Sequence, residues 1–339
     1  MKIIVDAFGG DHAPLEIMKG CAEAVQELDV DIILTGKEQA IHRIAKQNGI
    51  SLYRMEIVDA PDVITMHDPA GEIVKSKSES SMAIGLKLLA EGKGDAFLSG
   101  GNSGALVMGS SLLIKRIKGV KRASFGAIMP KAEGFMMLMD GGANLECRPE
   151  MLQQFGIMGS IYMEKVMNVK NPRVGLVNVG TEEEKGGELQ QQAFVLLKNS
   201  PINFVGNIEG REIPDNAADV VVADGFTGNI LLKTYEGVAM MVMKQFKNVM
   251  MKSTKNKLAA LAMKNDFMEL KQRMDYNEYG GAPIMGVCKP VFKAHGSSKA
   301  KTIKNALRLT KAYVETNVID VITKSIQELS GSNPTGQEG

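Results

Sequence analysis

Short β-branched runs alternate with longer stretches of helical spacing through most of the chain. Residues 3–6 predict a strand, 14–28 a helix, 31–35 a strand, 37–47 a helix and 56–59 a third strand. Residues 81–91 carry Met82, Leu86 and Leu89 on one helical face. A strand over 95–99 then opens into a Gly-rich loop and another helix. Residues 124–129 and 135–140 read as strands that pair as neighbours. A helix over 150–167, a strand over 173–179 and a helix over 187–198 follow. Strands over 203–205 and 219–223 precede a long helix that begins near Phe226. Repeated strand–loop–helix units imply a mainly parallel sheet covered by helices on both faces. In such sheets ligands sit beyond the carboxyl ends of the strands.

Two stretches depart from the pattern. Residues 239–276 are almost continuously helical, with no strand signal. Residues 331–339 form a polar tail without periodicity, expected to be disordered. The expected organisation is one catalytic unit over 1–330 that contains the helical insertion. No repeat of fixed period is present.

Composition narrows the classes. The chain has 339 residues, 44% of them apolar and 23% charged, ordinary values for a globular core. A formal charge of +1 gives no bulk argument for nucleic acid. The start reads as a strand and a turn rather than a signal peptide. The apolar runs are too short to cross a bilayer. Cys21, Cys147 and Cys288 have no zinc or disulfide spacing, so a reducing cytoplasm is expected. Met is abundant, at 23 residues, and Trp is absent. That bias is either neutral or a sign of adaptable apolar surface.

Five Gly-rich loops fall mostly between a predicted strand and a predicted helix: 6–14, 99–105, 140–144, 180–187 and 224–229. Glycine lets backbone N–H groups approach a ligand, and a helix start offers unpaired N–H groups to an anion. Neither a dinucleotide fingerprint nor a P-loop is present. Ser103 is not in a nucleophile elbow, because Ala105 stands where that motif needs Gly. Ser103 and Asn102 either cap a helix or donate to a ligand. Lys185, in a Gly-rich loop behind three glutamates, either balances phosphate charge or an oxyanion, or pairs with those glutamates. Asn229 either holds an oxygen or caps its helix. His12 and His295 are candidates for acid or base work as well as for turn contacts. Asp6, Asp11, Asp140 and Asp224 stand at loop mouths. Asp before Gly is a common turn former, so no metal site is expected.

Together these loops resemble the bacterial phosphate acyltransferase family of phospholipid synthesis. The stretches that carry the resemblance are VDAFGGDHAP (5–14), SGGNSGALV (99–107), DGGAN (140–144), VNVGTEEEKG (177–186), ADGFTGNILLKT (223–234), GGAPIMGV (280–287) and HGSSKAKTI (295–303). The match runs to about residue 328. It implies a three-layer α/β/α sandwich like those of isopropylmalate dehydrogenase and phosphotransacetylase, with a protruding helical hairpin. It implies a homodimer in the cytoplasm, peripheral to the inner face of the membrane. The implied reaction moves a fatty acyl group from acyl carrier protein to inorganic phosphate, without cofactor. A membrane glycerol-3-phosphate acyltransferase then takes the acyl-phosphate.

A thioester is already activated and a thiolate leaves easily, so the protein needs a phosphate cradle and oxyanion donors rather than a nucleophile of its own. Lys185, Asn229 and His295 are the expected catalytic residues. Gly9, Gly10, Asn102, Ser103, Asn144, Gly180, Thr181, Thr227 and Gly228 are the expected phosphate and acyl contacts. The acidic carrier protein needs a basic dock. Lys115, Arg116, Lys118, Lys121 and Arg122 form the preferred cluster, with Arg116, Lys118 and Lys121 at its centre. Lys293, Lys299, Lys301 and Lys304 form a second. Leu258, Leu261 and Met263, flanked by lysines, suit either an anionic membrane surface or a helix contact. The rival readings are a phosphotransacetylase acting on small acyl-CoA, a metal-dependent hydroxy-acid dehydrogenase and a non-catalytic membrane scaffold.

Overall fold

The computed structural model describes residues 1–274 and 280–331. Its first half runs β1 (Lys2–Asp6), α1 (Leu15–Leu28), β2 (Asp31–Gly36), α2 (Glu38–Asn48), β3 (Met55–Asp59), α3 (Ser81–Ala90), β4 (Ala96–Ser99) and α4 (Ser103–Gly109). Then come β5 (Ser124–Pro130), β6 (Phe135–Met139), α5 (Pro149–Lys165), β7 (Arg173–Asn178), α6 (Glu188–Lys198), β8 (Asn203–Glu209) and β9 (Val220–Val222). The chain continues through α7 (Gly225–Met251), α8 (Thr254–Ala262), α9 (Lys264–Met274), β10 (Gly281–Met285), β11 (Val291–Ala294), α10 (Ala300–Glu315) and α11 (Val318–Gly331).

All eleven strands join one sheet in the order β3-β2-β1-β4-β11-β10-β5-β6-β9-β7-β8. From β3 to β11 the strands are mutually parallel. β10 is antiparallel to both its neighbours, and β5 is antiparallel to β6. From β6 to β8 the strands are parallel again. The two parallel halves therefore run in opposite senses, and their carboxyl ends open at opposite edges of the sheet.

The central strands read as continuous apolar runs because helices cover both faces. Ile3, Ile4 and Val5 of β1 and Val220, Val221 and Val222 of β9 are all buried. One face packs against α1, α2, α5, α6, α10 and α11. The other packs against α3 and α4 in the first half and α7 in the second. α1 shows how one face is chosen: Ile17, Met18, Cys21, Ala24 and Val25 recur at helical spacing and are buried.

Expected strands and helices recur with shifts of a residue or two, except that β8 runs four residues beyond the expected 203–205, to Glu209. The chief differences are β10 and β11, for which the periodicity gave no strand, and the two closing helices. β10 and β11 lie in the middle of the sheet. Residues 275–276 of the expected helical insertion and 332–339 of the expected tail lie outside the described residues.

Candidate functional site

A cavity of about 860 Å³ lies over β5, between α4 and α7. Phe125, Ala127 and Met129 of β5 line it, with Val107, Met108 and Leu112 on one side and Leu232 on the other. These walls are apolar. Polar groups gather at its two ends.

The α7 wall connects those ends. Asp224 caps the helix, accepting from the Thr227 amide at 2.9 Å and the Thr227 hydroxyl at 2.8 Å. Near this start the Asn229 side-chain amide lies 3.4 Å from the Gly141 carbonyl. Further along, the Tyr235 hydroxyl donates to the carbonyl of Pro130, at the far end of β5, at 2.6 Å. The helix thus runs alongside β5 from its beginning to its end. Asn229, Lys233 and Glu236 follow at spacings that put them on one helical face, and all three line the cavity. They make a polar stripe about 10 Å long. Lys233 donates to Glu236 at 2.9 Å.

At the Asn229 end, loop 140–144 is wound around one carboxylate. Asp140 is buried and accepts from the amides of Phe125 at 2.9 Å, Ala143 at 3.1 Å and Asn144 at 2.7 Å. Burial raises the Asp140 carboxyl and these N–H groups pull it back in part. The Asn144 side chain donates to the Ala123 carbonyl and to Asp140, both at 2.8 Å. A Cβ at Gly228 would stand 1.9 Å from the Asp140 carbonyl oxygen, so only glycine lets α7 approach this loop.

At the other end, three backbones meet. A Cβ at Gly100 would lie 2.7 Å from the Gly9 carbonyl oxygen, and one at Gly10, where φ is +119°, 2.9 Å from that of Gly296. Beneath them Asp6 is buried and accepts from the Ser99 hydroxyl at 2.7 Å and the Phe8 amide at 3.1 Å. Burial raises the Asp6 carboxyl. Lys293, on β11, is also buried; its ammonium donates to the carbonyls of Gly100, at 3.0 Å, and Ala294. Burial pulls Lys293 down to about 8. The His295 Nδ1 lies 2.8 Å from the Ser297 hydroxyl, and burial pushes this imidazole below the ordinary histidine value.

The expected site residues are therefore distributed. Ser103, Asn144, Asn229 and His295 line the cavity, but Asn229 and His295 belong to opposite ends of it. Asn102 is occupied as a cap: it accepts from the Ala105 amide at 3.1 Å and donates to the carbonyls of Thr65 and Asp68 at 3.0 Å. Thr227 is bound to Asp224, and Gly9, Gly10 and Gly228 serve close backbone packing. Gly180, Thr181 and Lys185 do not line the cavity. Their loop follows β7, the neighbour of β9, so it flanks the Asn229 end, with Thr181 and Lys185 exposed. Asp6, Asp140 and Asp224 each serve their own loops. Among the described residues no three His, Cys, Asp or Glu gather as metal ligands.

Lys115, Arg116, Lys118, Lys121 and Arg122 are exposed, and Arg122 lines the cavity. The second basic cluster is not one surface: Lys293 is buried, and Lys304 pairs with Glu23 at 3.1 Å and Glu27 at 2.8 Å. Leu258, Leu261 and Met263 are exposed around α8, which buries no side chain. Among the described residues no helix is long and apolar enough to cross a membrane.

Lys233, Glu236 and the cavity position of Lys293 were not anticipated. A signal existed for the two lysines. Lys233 follows Asn229 by one helical turn. Lys293 interrupts the short run Val-Phe-Lys-Ala immediately before His295, the place of an inward-facing charge at a strand end.

Comparison with known proteins bears on what this cavity does. A family model described as "Fatty acid synthesis protein" matches residues 1–321. The chain is similar to the "Phosphate acyltransferase" of Acetivibrio thermocellus, 49% identical over 323 residues and covering 95% of each chain. It is also similar to that of Alkaliphilus oremlandii, 46% identical over 329 residues, covering 97% of this chain and 98% of the relative. Among solved structures, a phosphotransacetylase from Streptococcus pyogenes shares the fold, with a TM-score of 0.62 at 15% identity over 93% of this chain and 94% of the other. The EutD phosphotransacetylase from Staphylococcus aureus gives 0.58 at 15% identity, with the same coverage.

Proposed function

The chain belongs to the phosphate acyltransferase family of fatty acid and phospholipid synthesis, and on that premise we propose that it moves a long-chain fatty acyl group, reversibly, from acyl carrier protein to inorganic phosphate. The acyl-phosphate formed then enters phosphatidic acid synthesis. The observation that carries this reading is the cavity itself. Its volume of about 860 Å³ falls in the range of ligand pockets, about 300–1,000 Å³. Its apolar walls suit an alkyl chain, and its polar stripe suits a phosphate and a thioester carbonyl.

In this reading a phosphate oxygen attacks the thioester carbonyl carbon. A C–O bond forms, the C–S bond breaks, and the sulfur leaves as thiolate with the electron pair. Asn229 donates to the developing oxyanion, Lys233 in the cavity wall offsets phosphate charge, and the exposed Lys185, outside the cavity, adds only longer-range positive charge. No cysteine is needed: burial pushes the Cys147 thiol up to about 12, and Cys147 is not in the cavity wall. The exposed basic run 115–122 reaches the cavity at Arg122, which supports it as the carrier dock. Leu258, Leu261 and Met263, with lysines around them, support a peripheral contact with an anionic membrane at the cytoplasmic face, where a membrane acyltransferase would collect the product. Phe226, Ile230, Val238 and Met241 are exposed along α7 and support pairing with a second copy.

The test is palmitoyl–acyl carrier protein incubated with and without phosphate. Phosphate-dependent release of free carrier protein, with acyl-phosphate trapped by hydroxylamine, is the expected result. Turnover of acetyl-CoA in preference to the long-chain carrier substrate would instead favour a small-acyl phosphotransacetylase.

A further inference from the structure

Lysine is rarely buried without a carboxylate partner, because an ammonium removed from water needs compensating charge. Lys293 is 6% exposed, and among the described residues no carboxylate lies within ion-pairing distance of it. Its ammonium donates to the carbonyls of Gly100 and Ala294, and it stands in the cavity wall. Lys131 is the contrast: its side chain is 4% exposed, with Asp219 at 2.6 Å. The Lys293 ammonium is thus held in place by carbonyl dipoles without a direct ion pair, and Asp6 and Asp11 act on it only at longer range.

We propose that Lys293 supplies the buried positive charge against which the phosphate dianion binds, so that binding locks a proton onto this lysine. The inference rests on the functional reading above and names a residue for it. It accords with the charge around the cavity. Arg122, Lys233 and Lys293 line it against Asp11 and Glu236, and Lys233 is already engaged with Glu236. Asp6 and Asp11 lie close enough to favour the charged form of Lys293, Lys233 opposes it, and His295 is the adjacent ring.

Burial sets the pH dependence. Because Lys293 is pulled down to about 8, the free protein loses the ammonium as pH rises past that value. An arriving dianion favours the charged form and restores it. Phosphate binding therefore takes up protons above about pH 8, and the KM for phosphate rises there. His295 is pushed downward, so it does not titrate in this window.

Sulfate is the probe, since this tetrahedral dianion does not itself titrate near pH 8. Calorimetry of sulfate binding to the full-length protein, in buffers of different ionisation enthalpy, reads the protons taken up. Uptake is expected to grow from near zero at pH 7 toward one proton per site above pH 8. Lys293→Met should abolish the uptake and weaken sulfate by about tenfold to a hundredfold, the range for a lost charged hydrogen bond. Lys293→Arg, which stays charged, should retain binding without uptake, and it keeps the question open to measurement if the Met variant does not fold. Absence of sulfate binding at pH 7, absence of uptake in the wild type, or unchanged uptake in either variant overturns the proposal. An enzyme that deacylates the carrier with phosphate yet takes up no proton contradicts this inference alone. Absence of phosphate-dependent deacylation contradicts the functional reading instead.

Discussion

Two lysine side chains, one on β11 and one just beyond β5, are buried and differ in what surrounds them. Lys131 follows β5 and donates to Asp219 at 2.6 Å and to the Ala218 carbonyl at 3.2 Å. Asp219 also receives Arg173, at 3.1 Å. Charge there is closed within the protein, and it ties the beginning of β7 to the chain entering β9. Lys293 has carbonyl oxygens and, among the described residues, no carboxylate at the same range. The first arrangement holds strands together. The second leaves a charge to be completed from the cavity. The contrast teaches that burial of a cation marks a site only when the protein has not supplied the counter-ion.

The sharpest way to break the comparison is Lys131→Met. It strands a half-buried Asp219 beside one remaining cation, and should cost about 4 kcal/mol of unfolding free energy in urea. Its KM for phosphate should be unchanged. A loss below about 1 kcal/mol would erase the distinction between the two lysines. Asn229→Ala comes next. Loss of an oxyanion donor should lower turnover on the order of a hundredfold, about 3 kcal/mol in barrier, with the protein still folded. Wild-type turnover would remove Asn229 from the chemistry.

The Asp219 cluster has a smaller, pH-dependent signature. Burial alone would raise this carboxyl, but the bonds from Arg173 and Lys131 outweigh it and hold it at about 2. Its folded value lies below the ordinary aspartate value of about 3.9. The stability it contributes, roughly 2–3 kcal/mol at most, is therefore nearly complete above pH 4 and is largely lost as pH falls to about 2. Asp219→Asn should show that loss at pH 7 and none near pH 2 in denaturant titrations; an equal loss at both would contradict the assignment. Lys185→Ala has the least expected effect, on the order of tenfold in turnover, because exposed charges are screened, with stability changed by no more than about 0.5 kcal/mol. Unchanged turnover would remove Lys185 from the site.

Much of this was legible from residue order. The β-branched run Ile3-Ile4-Val5 could only be a strand covered on both faces, and the spacing of Met82, Leu86 and Leu89 fixed the buried side of α3. β10 and β11 were hidden for physical reasons. Pro283 and the pair Gly280-Gly281 argue against a central strand, and Lys293 puts a charge where a strand core expects an apolar group. At the site, glycine was an ambiguous marker. In Gly9, Gly10 and Gly228 it permits backbone contact between loops, and in the exposed loop 180–187 it does not line the cavity at all. Sequence identified loops that had to bend. It could not say that Asn229 and His295 would fall at opposite ends of one cavity, because that follows from β5 and α7 lying side by side, a pairing of segments about a hundred residues apart.

The most direct test is a crystal of the full chain soaked in phosphate. A tetrahedral ion along the stripe between Asn229 and Lys293, in reach of Lys233, is the expected result. An ion bound only outside this cavity, with the stripe occupied by water at saturating phosphate, would contradict the account.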